Sequence, residues 1–171
     1  MEFKETIERR ESVRNYEDRP IPEEKLKRIL QAARLAPSAS NRQPWKFIVV
    51  REKQRRQELA EAANRQVFVG QAAVIIVAVA TRPEHVMSCG VPSHPVDLAI
   101  ALDHITLAAV DEGLGTCWIG SFSQNKVKDI LDIPKRYKVI ALLPLGFPRQ
   151  KIKLKMRKSL EEIVCYETFT E

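Results

Sequence analysis

Ala72-Ala73-Val74-Ile75-Ile76-Val77-Ala78-Val79-Ala80 is an uninterrupted apolar run rich in β-branched side chains. A strand with one wet face alternates polar and apolar residues, and this run does not. Its length and flanks suit a strand rather than a helix, so it predicts a strand buried on both faces. Upstream, Lys53 to Ala63 predicts an exposed, charge-rich helix and Lys46 to Val50 a strand. Before these, Leu26, Ile29, Leu30 and Ala33 recur at helical spacing. Pro22 suits the first turn of that helix, and Glu23 and Glu24 complement its dipole. It should end near Ala36-Pro37, because the residue before a proline disfavours helical geometry. Residues 2–11 predict a short opening helix with Phe3 and Ile7 on a shared face.

Downstream, residues 81–94 carry Pro83, Ser88, Gly90 and Pro92 and predict a mobile loop. Pro95 to Glu112 predicts the longest helix, with Gly113 as its stop. Its apolar residues, Val96, Leu98, Ala99, Ile100, Leu102, Ile105, Leu107 and Val110, cover nearly the whole circumference. A helix of that kind is buried on several sides, in a core or across a subunit interface. Strands over Gly115 to Phe122 and Lys138 to Phe147 follow, separated by a helix near Gln124 to Leu131.

A chain of 171 residues, 44% hydrophobic and 29% charged, is expected to form one folded domain over 1–171. Its net charge of +6 favours anionic partners, and residues 149–158 hold six cations with no acid. Cys89, Cys117 and Cys165 are odd in number and far apart, which gives no disulfide framework or metal pair and suits a reducing cytoplasm. The charged start Met-Glu-Phe-Lys-Glu does not read as a signal peptide, and no run reaches the length of a membrane span. His94 and His104 are ten residues apart, not the i, i+4 spacing that sets two ligands on one helix face. No metal site is expected.

Two segments carry candidate chemistry. Arg10, Ser12 and Arg14 can present two guanidinium groups and a hydroxyl to one phosphate if the first helix stops there; alone, they suit a solvated charged face better. Pro37-Ser38-Ala39-Ser40-Asn41-Arg42-Gln43-Pro44-Trp45 is a proline-bracketed loop rich in hydroxyl and carboxamide groups. Such groups suit the uracil-like edge of a flavin or nucleobase, or simply cap a turn. Gly120 in Gly113-Leu114-Gly115-Thr116-Cys117-Trp118-Ile119-Gly120-Ser121 permits close approach by a flat ligand, or marks a bulge. The glycine spacing of a dinucleotide fingerprint and the lysine loop of a P-loop are both absent.

Arg10-x-Ser12-x-Arg14, the Pro37–Trp45 loop, the long buried helix running into Gly113–Gly120, and Lys155-Met156-Arg157-Lys158-Ser159-Leu160 occur in one order. Together they resemble the FMN-dependent nitroreductase family over essentially the whole chain. The resemblance implies an α+β fold with a central mostly antiparallel or mixed sheet and an entwined homodimer holding two FMN molecules at the subunit interface. It also implies ping-pong chemistry, in which NADH or NADPH delivers hydride to flavin N5 and an organic acceptor, nitroaromatic or quinone, then takes its place. By position, Arg10, Ser12 and Arg14 would meet the phosphate and ribityl region, with Lys155, Arg157 and Lys158 closing the clamp. Pro37, Ser38, Ala39, Ser40, Asn41 and Gln43 would line the ring and ribityl chain, some of them from the partner subunit. Asn64 would lie near the pyrimidine edge. Ile119, Gly120 and Ser121 would lie by the flavin, with a backbone N–H near N5 or O4. No side chain is required as acid, base or nucleophile, because the flavin performs the chemistry. Two departures stand out: Glu11 occupies a place where many relatives carry Arg or His, and residues 119–121 lack the glutamate of the best-studied branch. The competing readings are a basic nucleic-acid-binding module built on Lys151 to Lys158, and a flavin-binding protein without reductase turnover.

Overall fold

Among the described residues, four strands form one sheet in the order β1-β2-β4-β3, where β1 is Trp45–Val50, β2 Val74–Ala80, β3 Gly115–Thr116 and β4 Lys138–Gly146. All three strand pairings are antiparallel, and a parallel bridge from Ser12 to Thr116 adds the mixed element at one edge. The protein is described by a computed structural model covering residues 1–149 and 155–171. Lys151 and Lys153 of the basic run lie outside the described residues.

Every residue of β2 is buried, as its unbroken apolar run requires. Alternate side chains of a strand point to opposite faces. Val74, Ile76, Ala78 and Ala80 face α2 (Glu23–Arg34) and α5 (Ser93–Asp111), meeting Leu26, Ile29, Leu98, Leu102 and Ile105. Ile75, Val77 and Val79 face α3 (Lys53–Ala62), α4 (Val67–Gln71) and α6 (Gln124–Ile130), meeting Leu59, Val69 and Val127. Helices thus cover both sides of an antiparallel sheet, and the central strands lose their polar alternation.

Several boundaries differ from expectation for identifiable reasons. Helix α5 starts at Ser93, two residues earlier than Pro95, because a proline in the first turn removes only an N–H that has no helical partner. Pro22 is the N-cap of α2 rather than part of its first turn. Residues 81–94 are more ordered than a loose loop: Val86 bridges Pro92, the Met87 N–H donates to Val91 O at 2.9 Å, and Gly90 turns the chain at φ 87°. Helix α1 spans Phe3–Arg9, short of the expected 2–11, and buries Thr6 while Phe3 and Ile7 stay exposed.

The expected strand over Gly115 to Phe122 is reduced to Gly115–Thr116 and a separate bridge from Ile119 to Leu142. Pro144 is the cause. The Cys117 N–H donates to Pro144 O at 3.4 Å, but proline has no N–H to return to Cys117. The ladder opens there and resumes at Ile119, which exchanges bonds of 2.9 and 3.1 Å with Leu142.

The segment after α1 lies flat on this ragged edge. The Val13 N–H donates to Thr116 O at 2.8 Å, and the Tyr16 hydroxyl donates to Val13 O at 2.8 Å and to Pro144 O at 3.3 Å. Burial pushes the Tyr16 phenol upward. The approach is close enough to demand glycine: a Cβ on Gly115 would overlap Val13 Cγ2. Gly115→Ala should therefore destabilise the protein by about 1–3 kcal/mol, the usual cost of overpacking, read from urea midpoints.

At the far end of α5, Glu112 Oε2 accepts from Arg28 Nη2 at 3.0 Å and Lys25 Nζ at 3.2 Å, tying α5 to α2. The Arg28 guanidinium, then the Lys25 ammonium, hold the Glu112 carboxyl down to about 2 from 4.5. A carboxyl lowered on folding stabilises fully above its unfolded value and loses that contribution as pH falls through the folded one. Glu112→Gln should be less stable than wild type at pH 7, and the two should converge as pH falls from 4.5 toward about 2 in denaturation curves.

Candidate binding site along the β3 edge

Helix α1 ends at Arg9, so residues 10–14 are extended and the 10-12-14 spacing becomes strand-like. Residues two apart then share a face. Val13 is buried beneath the segment, while Ser12 and Arg14 stay exposed above β3. Both lie beside Cys117, whose thiol is raised by burial, with Arg14 and a hydrogen bond to Ser12 opposing.

Lys155 reaches back to the same corner. Its ammonium donates to Ile7 O at 3.1 Å and to Glu8 O, capping the end of α1. Burial lowers the Lys155 ammonium, and the positive charges of Arg10 and Arg157 lower it further, against Glu11 and Glu8. Arg10, Lys155 and Arg157 are therefore electrostatic neighbours, gathered from chain positions far apart. Arg157 donates to Met156 O at 2.7 Å, and Lys158 is exposed on the next position. Glu11 and Glu8 offset part of the repulsion among these three cations, and an anion joining them would offset more.

Farther along the same edge, Asn64 Nδ2 donates to Ser121 Oγ at 2.7 Å, and Gln66 Nε2 donates to Ser121 O at 3.4 Å. Asn64 has a left-handed backbone, φ 57°, which its short amide tolerates. Ile119 is a core residue and its N–H is committed to Leu142 O, so any N–H offered to a ligand comes from Gly120 or Ser121. A Cβ on Gly120 would find only Trp118 Nε1, at 4.0 Å, within that distance. A flat group therefore has room to approach. Thr116 to Ser121 is five residue steps, at most roughly 16 Å of chain, between the cation cluster and the amide.

The loop after α2 is organised separately. Ser38 Oγ accepts from the Gln43 N–H at 2.9 Å, and Gln43 Nε2 donates to Asn41 O at 3.2 Å and Asn41 Oδ1 at 3.1 Å. Ser40, Asn41 and Gln43 all take positive φ, at 51°, 54° and 50°. The Ala39 N–H donates to Asp97 Oδ1 on α5 at 2.8 Å. Pro37 is exposed at the start of the loop, and buried Pro44 accepts from the Thr81 N–H at 3.0 Å at its end.

This loop and the cation cluster occupy diagonally opposite corners of the sheet. The loop enters β1 at Trp45, which pairs through Ala80 to Lys138. Ser12 sits at Thr116, which pairs to Leu145. Lys138 and Leu145 are roughly 23 Å apart along β4, and β1 and β3 are three strand spacings apart, roughly 14 Å, giving a diagonal of roughly 27 Å. One chain brings Arg10, Ser12, Arg14, Lys155, Arg157, Asn64, Gly120 and Ser121 to one edge and leaves residues 37–43 elsewhere.

Three contributors escaped the sequence reading. Gly115 and Pro144 act through strand neighbours that no local pattern identifies. Asp97 carried a signal, an acid beside the apolar run in the first turns of a helix, but its loop partner lies far away in sequence.

The nitroreductase family model matches residues 7–83 and 63–147. The crystal structure of a nitroreductase family protein from Clostridium novyi NT is 42% identical, covers 87% of this chain and 86% of its own, and has a TM-score of 0.83. A Bacillus subtilis protein named FMN reductase [NAD(P)H] is 30% identical over 175 residues, covering 92% of this chain and 70% of its own. The NADPH:FMN oxidoreductase from Vibrio harveyi, solved in complex with NAD+, is 28% identical with a TM-score of 0.90 over 99% of this chain and 78% of its own. The α+β architecture is shared with these solved structures, and the chain belongs to the nitroreductase family.

Proposed function

We propose that this protein is an FMN-dependent oxidoreductase of 171 residues, a single domain that works as a homodimer and passes electrons from NADH or NADPH to an organic acceptor. The observation that carries this reading is the cluster of Arg10, Lys155 and Arg157 at one end of an open edge, with the Asn64 amide and Gly120 farther along it. Mutually repelling cations fit a phosphate, the amide fits a ring edge, and the space above Gly120 fits a flat ring. Arg10, Ser12, Arg14, Lys155, Arg157 and Lys158 hold the phosphate end, while Asn64, Gly120 and Ser121 orient the ring. FMN, when bound, supplies the capacity to take up and release a hydride. The protein binds and aligns the reactants, and donor and acceptor use the site in turn.

Two features support a second copy. Residues 37–43 lie across the sheet from the β3 edge, three strand spacings or roughly 14 Å away, so each loop is placed to serve the neighbouring subunit. Along α5, Val96 is exposed and Ile100, Leu107 and Val110 are half-buried, a stripe at helical spacing left open by this chain. Phe3 and Ile7 on α1 and Leu160, Ile163, Tyr166 and Phe169 near the C-terminus are also exposed. Apolar surface of this extent suits an interface between copies.

Among the described residues no helix is long and apolar enough to cross a membrane. Three free thiols suit a reducing cytoplasm. Family membership leaves the nucleic-acid reading without support.

Anaerobic titration of FMN-loaded protein with NADH and NADPH, then nitroaromatics, quinones and free flavin, tests the activity. Bleaching of the flavin by nicotinamide and its return with an acceptor are expected; protein that stays colourless after FMN addition defeats the reading. Arg10→Ala should weaken FMN binding by roughly 1.5–3 kcal/mol, the range for a charged hydrogen bond, and leave phosphate-free riboflavin nearly unaffected. Equal losses for both ligands would remove Arg10 from the phosphate clamp.

A further inference from the structure

The first turns of α5 hold three buried polar side chains: Ser93 at 0%, His94 at 6% and Asp97 at 2% exposure. Their spacing places Ser93 and His94 one turn from Asp97, on neighbouring positions of the helix surface. Ser93 Oγ, His94 Nδ1 and Asp97 Oδ2 have no hydrogen-bond partner among the described residues. Buried polar atoms are normally satisfied, which sets this cluster apart from the rest of the core. Asp97 Oδ1 has a different fate: it accepts the Ala39 N–H at 2.8 Å. Above that contact sits the loop with left-handed Ser40, Asn41 and Gln43, none of them glycine, a costly backbone that persists only when its surroundings enforce it. The Ser38–Gln43 and Gln43–Asn41 bonds close the loop on itself. Asp97 fixes that closed unit to the long helix.

We propose that Asp97 is a positioning residue that acts across the subunit boundary: it holds residues 38–43 in their strained shape on one protomer and so sets FMN affinity in its partner's site. Ser93 and His94 are buried one turn away on the same helix. Burial and Lys138 lower the His94 imidazole, against Asp97 and Glu84. This inference rests on the proposed FMN site and on its division between two chains. It adds that part of the affinity resides in a residue that touches no cofactor.

Mixed dimers, purified with two different tags, separate the possibilities. The first pairs an Arg10→Glu chain with an Asp97→Ala chain; the second pairs wild type with a chain carrying both changes. If Asp97 acts across the boundary, the first dimer keeps one site of wild-type FMN affinity. The second then keeps one site weakened by about tenfold, the scale of losing one well-placed hydrogen bond. If Asp97 serves its own chain's site, the pattern inverts, and the proposal is overturned. Asp97→Asn, which retains an oxygen acceptor for Ala39, should restore most of the affinity and covers the case of an alanine variant that does not fold. Wild-type FMN binding by both Asp97 variants would also overturn the proposal. An Arg10→Glu homodimer that binds FMN normally would instead defeat the site reading itself, so the two failures are distinguishable.

Discussion

The antiparallel pairing of β2 with β4 is the constraint on which the remaining structure depends. Both strands are buried on both faces over most of their length, so neither can shift register without moving large side chains from one core into the other. That fixed pair sets where β1 and β3 lie, and therefore where the two candidate binding segments end up. Helices α2 and α5 close one face and α3, α4 and α6 the other, leaving the sheet edges as the places where ligands can approach.

Within this frame a single imino acid shapes the candidate site. A residue at 144 with an N–H would pair fully with Cys117 and extend β3 toward residue 122. Pro144 interrupts that ladder, and the chain from Cys117 to Ser121 follows a looser path with Gly120 exposed on it. The N-terminal segment then packs over the other end of the same edge, admitted by Gly115 and Gly146. A Cβ on Gly146 would lie 2.9 Å from Tyr16 Cδ1. Backbone accommodations, more than reactive side chains, create the edge.

Much of the fold was legible in the sequence because its elements announce themselves locally. The Ala72–Ala80 run and the stripe at Leu26, Ile29 and Ala33 reflect burial patterns that hold in the structure, whereas the apolar 95–112 helix is buried along Leu98, Leu102 and Ile105 and open at Val96. What escaped depends on distant partners. The length of β3 is set by Pro144, nearly thirty residues away, and the five residues of α4 are too few to show a period. Phe3 and Ile7 share a face as their spacing suggests, but spacing does not say whether that face meets this chain's core. For the candidate site, the Arg10, Ser12 and Arg14 grouping was visible, and its meaning turned on where α1 stops. The left-handed backbone at Ser40, Asn41 and Gln43 carried no glycine to signal it.

The diagonal separation of the loop from the cation cluster has a consequence for equilibrium as well as geometry. Where a binding site is assembled from two copies, occupancy and association are linked functions: ligand bound across the boundary stabilises the assembled state by mass action, and dilution that separates the copies also releases the ligand. Under the proposed assembly, the cofactor is part of the adhesive between protomers. Its apparent dissociation constant becomes a property of protein concentration and not of the pocket alone.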